Sequence, residues 1–108
     1  MRAEEFTLDE ARVGTVTYSG MRFIVDDHAI LRAAERDVDP HAVDRCLQLL
    51  AAKPDLVSGI DSGQQFWVYD SNQNIALGMR RFKQDQPEFQ LKTVLDRRPQ
   101  TPGLVVTV

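Results

Sequence analysis

The stretch from Asp27 to Pro54, DHAILRAAERDVDPHAVDRCLQLLAAKP, decides the fold. Its first part, His28 to Arg36, consists mostly of good helix formers. At ~100° per residue, Ala29, Ile30, Ala33 and Ala34 share one side of a helix. His28, Arg32, Glu35 and Arg36 share the other. Asp26-Asp27 stands directly before, where a carboxylate accepts from the unpaired amides of a first helical turn. Asp37-Val38-Asp39-Pro40 breaks this helix and starts a second. Asp39 suits the N-cap and Pro40 the first helical position. Val43, Cys46, Leu47 and Leu50 then repeat at i, i+3, i+4 and i+7, and Pro54 ends the run. Two apolar stripes joined by so short a break predict a helical hairpin, which must cover another apolar surface.

The flanks supply that surface. Upstream, Val13–Tyr18 and Met21–Val25 surround Ser19-Gly20 and predict a β-hairpin or an extended arm. Downstream, Gln64–Tyr69, Ile75–Phe82 and Phe89–Leu95 read as strands separated by Asp70–Asn74 and Gln84–Pro87. Ile75, Leu77 and Met79 alternate onto one face. Simple alternation puts Phe89, Leu91, Thr93 and Leu95 on one face of the next strand, and Gln90, Lys92 and Val94 on the other. Residues 1–12 read as a flexible arm, and the tail, 99–108, offers a last strand in Leu104–Val108. The expected fold is a single α+β domain over 1–108. A two-helix hairpin packs on an antiparallel sheet of three to five strands, preceded by the N-terminal hairpin or arm.

At 108 residues, 43% hydrophobic and 27% charged, the composition is ordinarily globular and argues against global disorder. No window approaches the ~20 apolar residues of a membrane span. The first residues lack the apolar core of a secretory leader. The single cysteine, Cys46, excludes an intramolecular disulfide and a multi-cysteine zinc site, and fits a reducing, cytoplasmic setting. Net charge is −3, which argues against indiscriminate nucleic-acid binding. The charge is uneven. Residues 1–75 hold 7 basic and 13 acidic side chains, whereas residues 76–108 hold 6 basic and 3 acidic. The basic end is either an anion-facing surface or a set of solvated strand faces.

His28, Arg32 and Arg36, at i, i+4 and i+8, place an imidazole and two guanidiniums along one helix stripe. A histidine exchanges protons near neutral pH, and an arginine holds two oxygens of a phosphate. Together they suit cleavage of a ribonucleotide phosphodiester. The plainer reading is an exposed face on which Glu35 pairs with a nearby arginine. Arg80, Arg81 and Lys83 form a basic run, and Lys92 and Thr93 lie on the next strand. They suit a phosphate-binding floor, or again a solvent face. Consecutive residues of a strand point to opposite faces, so only one of Arg80 and Arg81 meets a given ligand. Phe66, Trp67 and Tyr69 suit base stacking, although aromatics at strand spacing are more often core. Cys46, on the apolar stripe, reads as an inert buried thiol. No metal motif and no cofactor motif is present, and no role attaches to His41.

The quoted stretch, with VYDSNQNIALGMRR and FQLKTVL further on, resembles small bacterial toxin and phage-associated domains of the barnase, colicin D and RelE-like class of ribonuclease folds. The likeness covers about residues 22–95: His28-Ala29, Arg32, Arg36, the break at Asp37–Pro40, Pro54 and the late Thr93-Val94. The resemblance implies a metal-independent endoribonuclease that cleaves RNA by 2′-hydroxyl attack. His28 would be its general acid or base, Arg32 its phosphate binder and Thr93 a phosphate-positioning hydroxyl. Arg36, Arg80, Arg81 and Lys92 would add phosphate or RNA contacts. It further implies action in the cytoplasm on tRNA or mRNA, and a cognate immunity protein or antitoxin as partner. The chain departs from the pattern in its acidity and in Leu95, where an aromatic residue is common. The alternative is a non-catalytic acidic interaction protein on the same scaffold, such as a phage or mobile-element inhibitor of a host protein.

Overall fold

Ser19 and Gly20 both adopt positive φ, 49° and 82°, between Tyr18 and Met21, which face each other across the ladder. A two-residue turn of that handedness matches the twist of the strands it joins. It closes the hairpin of β1 (Gly14–Tyr18) and β2 (Met21–Val25). The computed structural model describes residues 14–83, 87–100 and 103–108. The arm expected over 1–12 lies outside the described residues, as does the side chain of Lys83.

Asp26 then turns the chain into α1 (Asp27–Glu35), its side chain accepting from the His28 amide at 3.2 Å. Asp37, at φ 55°, ends this helix. The amides of Asp37 and Val38 reach back to the carbonyls of Ala34 and Ala33, satisfying two otherwise orphaned acceptors. Asp39 caps α2 (Pro40–Ala51) through the His41 amide at 2.9 Å, with Pro40 in the first turn. A single 3-10 turn, Pro54–Val57, leads to β3 (Gln65–Asp70), β4 (Ile75–Lys83), β5 (Glu88–Leu95) and β6 (Val105–Thr107).

The fold class is α+β, with two helices on one face of the sheet and the expected hairpin in place. The sheet differs from expectation in two respects. Among the described residues it has six strands, in the order β1-β2-β5-β4-β3-β6, and it is mixed, because β2–β5 and β3–β6 are parallel. Both parallel pairs join segments remote in sequence, and local alternation carries no information about the direction of such pairs.

The helix-covered face is mainly apolar, with Asp70 and Arg81 as buried charged exceptions. Phe23, Phe89, Leu91, Leu77, Met79 and Val68 meet Val43, Cys46, Leu47 and Leu50 in one buried cluster. A β-bulge in β5 corrects the simple alternation. Gly78 pairs with Thr93 but Met79 with Leu91, so Lys92 is the extra residue. Beyond the bulge, Val94 joins Phe89 and Leu91 in the core, while Thr93 and Leu95 turn to the face of Gln90.

Two buried polar groups lead to predictions. Burial pushes the Cys46 thiol up to about 12, with nearby Asp70 adding to the shift. Iodoacetamide at about pH 8 is therefore expected to leave the native thiol unmodified and to alkylate it fully in denaturant. Asp44 is 9% exposed and accepts from the Tyr18 hydroxyl at 3.0 Å. Burial raises its carboxyl above the ordinary value, while the Tyr18 bond and the nearby His41 charge pull it back down. The folded state therefore holds this proton more tightly than the unfolded chain. The group's contribution to stability is greatest in acid and is lost as pH rises through the raised value. Denaturant titrations should show Asp44→Asn removing this slope, with no loss of stability near neutrality. Tyr18→Phe should cost about 1–3 kcal/mol, because a buried acceptor loses its donor.

Candidate functional site

The face of the sheet opposite the helices carries a cleft of about 520 Å³. Gln65, Trp67, Gly78, Lys92 and Thr93 form its floor, Asp26 and His28 one rim, and Gly103 and Leu104 the other. The bulge in β5 is what aims both Lys92 and Thr93 at this one cleft. The rim arises because β2 stops at Val25, opposite Leu91, while β5 runs on. There the Asp26 amide donates to the Leu91 carbonyl at 3.1 Å, and α1 begins. Gln90 Nε2 donates to Asp26 Oδ2 at 3.1 Å, linking the helix cap to the open face. Asp26 is held below the usual carboxylate range, chiefly by the bond from the His28 amide, with Asp27 and Gln90 assisting against partial burial.

His28 projects outward. Its Nε2 accepts from Arg32 Nε at 3.3 Å, while Arg32 Nη1 donates to Glu35 Oε2 at 2.6 Å. With Nε2 accepting, the proton of the neutral ring sits on Nδ1. Glu35 thus fixes Arg32, and Arg32 fixes the imidazole: the local ion pair and the His–Arg stripe coexist. This arrangement offers a proton acceptor, a guanidinium beside it, and an ammonium and a hydroxyl across the same cleft.

The remaining sequence-selected residues are dispersed. Arg36 turns away and donates through Nη1 to the Val94 carbonyl at 2.6 Å, tying the end of α1 to β5. Arg80 is exposed on the open face, opposite Gln65 and Gln90. Arg81 points the other way. It is 7% exposed, donates to the carbonyls of Val57 and Ile60, and lies over the Phe89 ring. It therefore secures the loop after the 3-10 turn, far from the floor of the cleft.

Besides Lys92 and Thr93, the floor holds Trp67, which the sequence offers as a base-stacking residue, and Gln65 and Gly78, to which it assigns no role. Phe66 enters the core, so its neighbour Trp67 takes the open face. A Cβ on Gly78 would lie 2.6 Å from Thr93 Cγ2 and 3.1 Å from Trp67 Cζ3. The glycine is thus the gap that lets the indole and the threonine close over β4. An isolated glycine inside a strand was the available signal of such an approach. Among the described residues, no group of three or more His, Cys, Asp or Glu side chains is placed to hold a metal ion. No helix among them is long and apolar enough to cross a membrane. In comparisons with protein-family models, curated proteins and solved structures, none matches the chain.

Proposed function

We propose that this protein is a metal-independent endoribonuclease, a toxin-like effector acting on RNA by 2′-hydroxyl attack. The observation that carries the reading is the convergence of His28, Lys92 and Thr93 on one cleft, with Arg32 bonded to the imidazole. A substrate phosphate competes for Arg32 and draws its guanidinium off Nε2. The freed Nε2 takes the 2′-hydroxyl proton as the 2′-oxygen attacks phosphorus. Arg32, Lys92 and the Thr93 hydroxyl stabilise the charge on the pentacoordinate phosphorus. The bond to the 5′-oxygen breaks, and the Lys92 ammonium supplies that oxygen's proton. The products are a 2′,3′-cyclic phosphate and a 5′-hydroxyl, and solvent restores the two side chains.

A cell that makes such an enzyme in its cytoplasm must restrain it, so a cognate immunity protein or antitoxin accompanies this reading. The test is incubation of purified protein with total tRNA and with a long mRNA in excess EDTA, followed by mass spectrometry of the fragment ends. Fragments ending in 2′,3′-cyclic phosphate are expected. RNA that stays intact across a broad pH range sinks the proposal.

A second reading, the acidic interaction protein, is favoured by the outer face of α1. Leu31 is 53% exposed there, in a hollow with Asp27, Ile30, Ala34 and, at its border with the cleft, His28. An exposed leucine beside a carboxylate suits a host-protein surface. On this reading His28→Ala leaves activity intact, whereas Leu31→Asp abolishes it.

A further inference from the structure

A bare sheet face is ordinary in itself, since mixed and antiparallel sheets commonly leave one side to water. The contents of this one are less ordinary. Trp67 and Tyr69 lie two apart on β3 and share the face, with Trp67 spread over Gly78. The Arg98 guanidinium stands 5.7 Å from the Tyr69 ring centre, so cation and aromatic alternate. Lys92 borders the indole across the cleft floor, and Arg80 lies one rung beyond Gly78 on the same face. Among the described residues neither Lys92 nor Arg80 makes an ion pair. Two carboxylates on this side are already engaged: Glu88 with Arg22 at 3.3 Å, and Asp26 with Gln90 and the His28 amide. A chain of net charge −3 thus presents a cationic, aromatic surface on one side.

We propose that this face binds single-stranded RNA, with one unpaired base stacked on Trp67 and the flanking phosphates on Lys92 and Arg80. The inference deepens the ribonuclease reading, on which it rests for the bound strand's being a substrate, and it narrows that substrate to unpaired segments. The reason is geometric. A base is available to a flat aromatic platform only when unstacked, and an A-form duplex keeps its bases stacked inside. Stacking on an indole tolerates any base, so the site selects for strandedness before sequence. It also places the scissile phosphate near Thr93, whose methyl and the indole both close over Gly78.

Trp67 is the chain's single tryptophan, so its emission reports on this site alone. The probe is a fluorescein-labelled, 2′-O-methyl oligouridylate, which lacks the attacking hydroxyl. Single strands should quench Trp67 and bind at least about tenfold more tightly than the same strand in a duplex. Trp67→Leu and Lys92→Ala should each weaken binding roughly tenfold by anisotropy, and Trp67→Tyr should restore most of it. Lys92→Ala should also reduce the slope of log affinity against log salt by about 0.7.

Unchanged emission, equal duplex affinity, or affinity indifferent to both Trp67→Leu and Lys92→Ala overturns the proposal. Quenching by polyglutamate but not by RNA assigns the face to an acidic protein instead, and equally overturns it. Cleavage of ordinary RNA separates the two ideas. Binding on Trp67 without cleavage upholds the platform and removes the nuclease. Cleavage without quenching does the reverse.

Discussion

His28→Ala is expected to lower RNA cleavage by about 10²–10⁴-fold, the usual worth of a positioned general base. The loss should fall on kcat, because the imidazole acts on the proton in flight and contributes little to holding the strand. Stability should move by less than about 0.5 kcal/mol, as for other exposed positions. The ring is exposed and, among the described residues, its side chain bonds only to Arg32, while the cap of α1 uses the His28 backbone amide, which alanine retains. Thermal melting alongside single-turnover cleavage therefore separates chemistry from folding. Arg32→Lys keeps the charge but loses the fork that spans His28 and Glu35, and should recover only part of the rate. Equal cleavage by wild type and His28→Ala would falsify the assignment of His28 and leave any activity to other groups.

Gly78→Ala should produce a large change in stability, and in the direction opposite to custom. In an unremarkable strand, replacing glycine by alanine raises stability by roughly 0.5–1 kcal/mol, because the unfolded chain loses freedom. Here the new Cβ falls 2.6 Å from Thr93 Cγ2 and 3.1 Å from Trp67 Cζ3. A threonine methyl is short and branched, so it escapes only by rotation about χ1, and the indole must lift. The expected cost is about 1–3 kcal/mol, with a shift in Trp67 emission. Thr93→Ser deletes Cγ2 and keeps the hydroxyl, so Gly78→Ala with Thr93→Ser should regain most of the loss. Additive costs in that double-mutant cycle would show that the contact is not the cause.

Much of the scaffold was legible because its signals are local. Asp26 and Asp39 cap where an aspartate before a helix should, and Val43, Cys46, Leu47 and Leu50 bury as their spacing requires. Ile75, Leu77 and Met79 alternate into the core as read. What failed to show was non-local. The parallel partnership of β2 with β5 depends on how the two helices, each packed on the sheet, return the chain, which no strand encodes by itself. The bulge at Lys92 reversed the expected sides of Thr93 and Val94, and an extra residue leaves no trace in an alternating pattern of mixed polarity. Within the candidate site, the His28–Arg32 contact follows from helix pitch alone. The divergence of Arg80 from Arg81 follows from strand pleating. The departure of Arg36 toward Val94 does not, because it answers a carbonyl on a strand remote in sequence.

The partnership of β2 with β5 also governs when the molecule becomes competent. His28 is made before Thr93, and only the parallel pairing of β2 with β5 brings them to one cleft. Such long-range registry forms slowly, since the intervening loop must be closed before any contact rewards it. A nascent chain still on the ribosome, short of β5, therefore carries the imidazole but no anion floor opposite. If the protein attacks RNA, the message that encodes it is spared by nascent chains in which β5 has yet to emerge.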